Sequence, residues 1–180
     1  MSHPFLISAL PRSRTAWLSV FFTYYPNFCL HEGLAKYGTV ESLLRAANAA
    51  PGPVGNSDSS LTLKADDVIF AAEHGLARVA VIDRPLEEVR PSLTKYYAGS
   101  GIDQDKVLGV VVPGHERIRD SGHALVVKYD DLNKEETVRE LFDHLLPGQQ
   151  FPAHWYNHLR LLRVNQILDV ALEAQLRGNS

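Results

Sequence analysis

One stretch near the start of the chain constrains the fold most, because an apolar run there passes through a proline into a polar loop and a helix. It reads Phe5-Leu6-Ile7-Ser8-Ala9-Leu10-Pro11-Arg12-Ser13-Arg14-Thr15-Ala16-Trp17-Leu18. Residues 4–10 are almost continuously apolar, which is typical of a strand covered on both faces. Residues 15–25 have the apolar spacing of an amphipathic helix. The stretch therefore predicts a strand, a tight loop and a helix.

The loop in this stretch combines two arginines with two hydroxyl side chains. A helix N-terminus presents free N–H groups and the positive end of its dipole. Arg12 and Arg14 add positive charge at that point, and Ser13 and Thr15 add hydroxyl donors. The alternative is a surface turn whose arginines point into solvent. We interpret the loop as a binding site for a phosphate or sulfate group.

Strand and helix signals alternate along the rest of the chain. They predict strands at 28–30, 78–82 and 124–128, helices at 39–50, 64–75, 85–97, 103–119, 134–146 and 152–176, and a loop at 51–60. Residues 110–112 could instead form a strand, and Pro91 predicts a kink or a restart in its helix. The alternation predicts an α/β fold with a mainly parallel sheet of about four strands flanked by helices, and a helical C-terminal third.

The length and composition indicate one globular domain. The chain has 180 residues, of which 45% are hydrophobic and 22% charged, so we expect a single domain over 1–180 with 134–180 packed on it as a helical extension. The net charge of −3 gives no reason to expect a nucleic-acid partner. A lone cysteine, Cys29, and the lack of a signal-peptide or membrane-length apolar pattern predict a cytoplasmic protein without membrane contact. The oligomeric state is left open.

Polar residues follow three of the predicted strands. The arginine loop follows the first strand, His31 and Glu32 follow the second, and Asp83 and Arg84 follow the third. Ligands of parallel α/β sheets collect at the carboxyl ends of the strands, so we expect these groups at one site. A carboxylate or imidazole there can act as a general base. Because neighbouring side chains on an extended segment face opposite ways, at most one of His31 and Glu32 points into the site.

Residues 11–18 resemble the 5′-phosphosulfate loop of sulfotransferases, which reads Pro-Lys/Arg-Ser-Gly-Thr-Thr/Ser-Trp-Leu. Here Arg14 replaces the glycine and Ala16 replaces the second hydroxyl residue. Residues 83–93 resemble the 3′-phosphate motif of the same family, with the arginine shifted relative to the proline. In a purely structural alternative, Arg84 pairs with Glu87 or Glu88 on the helix surface.

A third segment, residues 126–132, is similar to the Arg-Tyr-Glu-Asp-Leu phrase of sulfotransferases. The phrase reads Lys128-Tyr129-Asp130-Asp131-Leu132 here. We expect Asp130 and Asp131 to cap the next helix, and we assign this segment a structural role without chemistry.

The resemblance implies a three-layer P-loop-type fold and 3′-phosphoadenylyl sulfate (PAPS) as co-substrate. The sulfuryl group would pass to a hydroxyl or amine of an unidentified small acceptor, with no metal required. The resemblance implies that the nucleotide is held by Arg12, Ser13, Arg14, Thr15, Ala16, Trp17, Arg84 and Ser92. Arg12 would contact the transferring group, and Glu32 would be the base, with His31 as second choice. Core packing is the alternative for Trp17.

Two other functions remain open from the sequence. A kinase on the same fold would need a Walker lysine and glycines, but the first glycine of the chain is Gly33. A non-catalytic nucleotide- or anion-binding protein is the second alternative. It is favoured by Arg14, by Ala16 and by the lack of the Arg-Lys-Gly…Gly-Asp-Trp-Lys segment with which cytosolic sulfotransferases end.

Three further groups of residues receive weaker predictions. Residues 56–59 are expected to form a polar turn, with contact to an acceptor pocket as the alternative. His154 and His158 have a spacing that can bind zinc, but no third ligand is evident. His115 is expected at the surface.

Overall fold

The computed structural model describes residues 3–161. Five strands lie at Phe5–Ala9 (β1), Phe28–His31 (β2), Val54–Asp58 (β3), Arg78–Asp83 (β4) and Leu125–Lys128 (β5). The helices are Thr15–Phe22 (α1), Gly33–Tyr37 (α2), Val40–Asn48 (α3), Ala65–Glu73 (α4), Leu86–Tyr96 (α5), Gln104–Asp120 (α6), Glu135–Leu145 (α7) and Ala153–Leu161 (α8). Short 3-10 turns at Ser59–Lys64 and Tyr129–Asn133 follow β3 and β5.

The strands form one sheet in the order β2-β3-β1-β4-β5, and every pairing is parallel. The strand that precedes the arginine loop, β1, is therefore central, with Ser8 opposite both Asp58 of β3 and Val81 of β4. All carboxyl ends meet at one edge. The predicted α/β class and parallel sheet are confirmed, with one strand more than expected.

Alternate side chains of β1 pack into two separate hydrophobic cores, one on each face of the sheet. Phe5, Ile7 and Ala9 pack with apolar residues of α1, α7 and α8 on one face of the sheet. Leu6 packs with α3, α4 and α6 on the other face. This alternation follows from the two-residue side-chain period of a strand. The result is the three-layer arrangement that the resemblance implies, with the carboxyl edge of the sheet as the place where loops meet.

The prediction of a loop at 51–60 is wrong, because β3 lies within it between β1 and β2. Two of its buried polar side chains are hydrogen-bonded to α2: Asn56 Oδ1 accepts from the Gly33 N–H (2.8 Å), and Asp58 Oδ2 accepts from the Leu34 N–H (3.1 Å). The hydroxyl of Ser57 is buried without a partner among residues 3–161. Gly55 lies against Phe5, whose ring fills the space of a Cβ. The turn-like composition of β3 therefore reflects hydrogen bonds to α2 and close packing on β1, and the polar turn expected at 56–59 is wrong too.

Most helix boundaries agree with prediction to within a few residues. The first helix ends at Phe22 instead of residue 25, and α6 runs through residues 110–112, so the strand alternative there is wrong. The helix predicted at 152–176 is present as α8 as far as Leu161, and the rest of that prediction lies outside the described residues. Among the helices of residues 3–161, none is both long and apolar enough to cross a membrane.

Candidate anion-binding site

The loop between β1 and α1 has an unusual backbone. Arg12 and Arg14 adopt left-handed conformations (φ 67° and 63°), which are uncommon outside glycine. Arg14 is the residue that precedes α1, and its carbonyl accepts the first helical bond from the Leu18 N–H (2.9 Å). Ser13 between the two arginines is fully buried, and its hydroxyl has no hydrogen-bond partner among residues 3–161. A buried, unpartnered donor beside a helix N-terminus is a position where a bound anion would supply the missing acceptor.

Arg84 brings the end of β4 to this loop. Its Nη1 donates to the Arg12 carbonyl oxygen at 2.6 Å, and its guanidinium lies 4.1 Å from the centroid of the Tyr129 ring. Its Nε also meets Glu88 at 3.3 Å, as the structural alternative anticipated. Arg84 therefore contacts the loop between β1 and α1 as well as Glu88 of α5, the helix that follows it.

The two loop arginines contact aromatic rings and a neutral amide. Arg14 donates from Nη2 to Asn133 Oδ1 (2.8 Å), and its guanidinium lies 5.1 Å from the Tyr129 ring centroid. Arg12 lies 4.7 Å from the ring centroid of Tyr96. We call Arg12, Arg14 and Arg84 the arginine cluster. Within residues 3–161, Arg12 and Arg14 form no salt bridge with a carboxylate, and the side-chain partners found for them are neutral. The cluster therefore keeps most of its positive charge.

The end of β2 also reaches the start of α1. His31 Nε2 and Thr15 Oγ1 share a hydrogen bond of 3.2 Å. Glu32 is exposed and left-handed (φ 56°), and its backbone N–H donates to the Ser57 carbonyl. Sequence reasoning ranked Glu32 above His31, whereas His31 is the residue that contacts the arginine loop's helix.

The other predicted nucleotide-binding residues are spread more widely. Ala16 lies in the first turn of α1, and Ser92 is half-buried on α5, two turns after Arg84. The half-buried ring of Trp17 stacks on Phe21 (5.5 Å between centroids) and meets the edge of Tyr156. Core packing therefore accounts for at least one face of the Trp17 indole.

Sequence reasoning missed Tyr129 and Asn133, the partners of the arginine cluster. Tyr129 follows β5 directly, as Arg84 follows β4. Because the carboxyl ends of parallel strands meet at one edge of the sheet, this position predicts Tyr129 at the same site. Asn133 carried no such signal. The expectation that Asp130 and Asp131 cap the next helix is wrong, because Lys134 occupies that position without a side-chain cap.

A second cluster of polar side chains surrounds Asp83, the last residue of β4. His115 of α6 is buried, not at the surface as predicted, and its Nε2 lies 3.4 Å from Asp83 Oδ1. Arg119 Nη1 lies 3.6 Å from the same oxygen. Burial lowers the pKa of His115, and the hydrogen bond with Asp83 opposes that effect. His115 is thus held as a mainly neutral partner of Asp83.

Metal-ligating side chains do not gather in the described part of the chain: residues 3–161 hold no group of three or more His, Cys, Asp and Glu residues arranged for a metal ion. Asp58, at the end of the strand beside β1, is engaged otherwise. Its Oδ1 accepts from the N–H (2.7 Å) and the hydroxyl (2.6 Å) of Ser60, and its Oδ2 from Leu34 and Asn56.

Comparison with known proteins finds similarity at the level of structure. No family model matches the sequence, and no curated protein matches it significantly. The structure is similar to a crystal structure of mouse sulfotransferase SULT7A1 complexed with PAP, with a TM-score of 0.55 and 14% sequence identity. The match covers 88% of this chain and 61% of the mouse chain, so the protein spans about three-fifths of that enzyme's length. The chain has a sulfotransferase-like fold.

Proposed function

We propose that the protein binds PAPS at the arginine cluster and transfers its sulfuryl group to a hydroxyl or amine acceptor. The observation that carries this proposal is that Arg84, from the end of β4, meets the loop that carries Arg12 and Arg14: Arg84 donates to the Arg12 carbonyl and shares the Tyr129 ring with Arg14. The buried and unpartnered Ser13 hydroxyl supports an anion at the same place. The likeness to a sulfotransferase that was crystallised with PAP supports a nucleotide over a simple anion.

The residues present fit such a co-substrate. The N–H groups at the start of α1, with Ser13 and Thr15, would hold the 5′-phosphosulfate, and Arg12 and Arg14 would balance its charge. Arg84 and Ser92 would hold the 3′-phosphate, with Trp17 near the adenine. PAPS supplies the sulfuryl group: the acceptor oxygen or nitrogen bonds to sulfur, the bond from sulfur to the bridging phosphate oxygen breaks, and PAP leaves with that electron pair.

The acceptor's proton must pass to a base as this exchange proceeds. His31 and Glu32 are the two candidates at the end of β2. The hydrogen bond between His31 and Thr15 supports His31, since Thr15 would touch the phosphosulfate. Glu32 reaches the site only if its exposed carboxylate turns toward α1. Substituting His31→Gln and Glu32→Gln separately distinguishes them, because loss of the base lowers kcat far more than nucleotide affinity.

The first test is calorimetric binding of 3′-phosphoadenosine 5′-phosphate, compared with ATP and magnesium. We expect the bisphosphate to bind selectively. Arg84→Ala should weaken it about tenfold or more, since a charge-assisted hydrogen bond contributes about 1.5–3 kcal/mol. Arg45→Ala, which removes an exposed arginine paired with Glu41 on α3, is the matched control and should leave affinity unchanged.

The outcomes separate the rival functions. Preference for ATP with magnesium would favour a kinase, although Asp58 is already fully engaged in hydrogen bonds. Binding of the bisphosphate without turnover of PAPS across an acceptor panel would favour a non-catalytic nucleotide-binding protein. Binding of neither nucleotide would contradict the proposal.

A further inference from the structure

Aromatic rings hold the arginine cluster in place. Arg14 and Arg84 both lie against Tyr129, at 5.1 and 4.1 Å from its centroid, and Arg12 lies 4.7 Å from the centroid of Tyr96. Tyr129 is half-buried and directly follows Lys128, the last residue of β5 that pairs with β4. One ring therefore contacts two cations that come from different parts of the chain.

This arrangement orients charge without cancelling it. A carboxylate would fix a guanidinium but also neutralise it, whereas an aromatic face attracts a cation and carries no net charge. Arg14 has only the ring of Tyr129 and the neutral amide oxygen of Asn133 as partners among the described residues. Arg84 has one carboxylate, Glu88, at 3.3 Å. Two like charges against one ring also repel each other, and an anion bound between them would relieve that repulsion.

We infer that Tyr129 is a positioning residue, which holds Arg14 and Arg84 ready for one anionic ligand with at least two charges. The identity of that ligand as PAPS rests on the proposed function, but the role of the ring does not. Tyr129 acts through the arginines, so its effect is felt by any polyanion, including one without a base or sugar. The residue that sequence reasoning assigned a structural role thereby becomes part of the site.

The rival account is that the ring touches the nucleotide's base directly. Inorganic pyrophosphate separates the two accounts, because it has no base on which a ring could stack. We would measure pyrophosphate and 3′-phosphoadenosine 5′-phosphate binding by calorimetry, on the full chain and its variants. Tyr129→Phe keeps the aromatic face, and Tyr129→Leu removes it. Tyr37→Leu removes a ring that lies 5.2 Å from Lys36, outside the arginine cluster, and is the matched control.

We expect Tyr129→Leu to weaken pyrophosphate binding about tenfold, as two partly exposed cation–π contacts of roughly 0.5–1 kcal/mol each would predict. Tyr129→Phe and Tyr37→Leu should both stay within about twofold of the parent protein, a difference that the scatter of such contact energies would cover. In an Arg14→Gly background the effect of Tyr129→Leu should shrink, since part of what the ring positions is gone.

Three results would overturn the inference: unchanged pyrophosphate binding by Tyr129→Leu, an equal loss in Tyr129→Phe, or full additivity with Arg14→Gly. Failure of the wild-type protein to bind pyrophosphate would also overturn it. If pyrophosphate binds as expected and the bisphosphate nucleotide does not, the proposed function fails while the role of Tyr129 stands. Melting curves of each variant without ligand show whether folding is intact.

Discussion

At the scale of single residues, Arg14 adopts a strained left-handed backbone conformation and places its guanidinium at the site. A left-handed conformation costs an ordinary L-residue roughly 1–2 kcal/mol that glycine avoids, and sulfotransferases have glycine at this position. In return the guanidinium contacts Asn133 and Tyr129 and adds a third cation to the cluster. Such local strain beside a binding loop is typical of functional positions.

Arg14→Gly tests this exchange. The relief of strain and the greater freedom of glycine in the unfolded chain have opposite signs, so we expect the free energy of unfolding to stay within about 1 kcal/mol of the parent. Pyrophosphate affinity should fall about tenfold with the loss of one charge-assisted contact. Chemical denaturation and calorimetry on the same preparations give both values. An unchanged affinity would show that Arg14 braces the loop and does not bind the ligand.

His115 gives a prediction for pH. Burial lowers its pKa below the ordinary value of 6.5, so below about that pH the unfolded chain binds a proton that the folded protein resists. This contribution to stability should therefore be full well above pH 6.5 and be lost progressively as the pH falls below it, with a slope of at most about 1.4 kcal/mol per pH unit for this one group. Denaturation midpoints of wild type and His115→Gln across this range measure it. Parallel pH profiles of the two proteins would contradict the prediction.

At the scale of elements, hydrophobic periodicity predicted β1, β4 and β5 and most helices, because their packing is carried by apolar side chains. It failed at β3, where buried Asn56 and Asp58 satisfy backbone N–H groups of α2 and Gly55 accommodates the Phe5 ring. These contacts join segments more than twenty residues apart, and no local pattern encodes them. The same holds for the candidate site. The loop could be predicted from its own residues, whereas the contacts of Tyr129 and Asn133 with Arg14 depend on the fold.

Helix α6 contains two glycines with opposite roles. Gly114 lies against the backbone carbonyl of Thr62, which occupies the space of a Cβ, whereas Gly109 faces open space. Gly114→Ala should therefore force α6 away from the 3-10 turn at Ser59–Lys64 and destabilise the protein by about 1–3 kcal/mol. Gly109→Ala should stabilise it by about 0.5–1 kcal/mol through helix propensity. Thermal or urea unfolding of the pair checks the sign, and equal effects would show that the contact with Thr62 is not tight.

At the scale of the whole molecule, the sheet collects the site from residues that the sequence scatters. All of these residues lie at the carboxyl edge of the same parallel sheet: the loop after β1, His31 at the end of β2, Arg84 after β4 and Tyr129 after β5. The contact between the most distant residues is the hydrogen bond from Arg14 to Asn133, which are 119 residues apart in the sequence. A ligand at this edge would therefore link several strand ends at once.

This predicts the pattern of hydrogen exchange on binding. With ligand at a hundred times its Kd, the folded state gains about 2.7 kcal/mol against global unfolding. Amides that exchange by local opening should slow most in residues 10–18, 84–92 and 129–133, which meet at the arginine cluster. Helix α3 packs in the second core and carries none of the residues of the arginine cluster, so it serves as the internal control. Hydrogen-exchange mass spectrometry with and without 3′-phosphoadenosine 5′-phosphate gives the protection of each segment.

Protection in only one of the three segments would mean that the ligand occupies a single strand end, and the view of one shared site at the sheet edge would then be wrong.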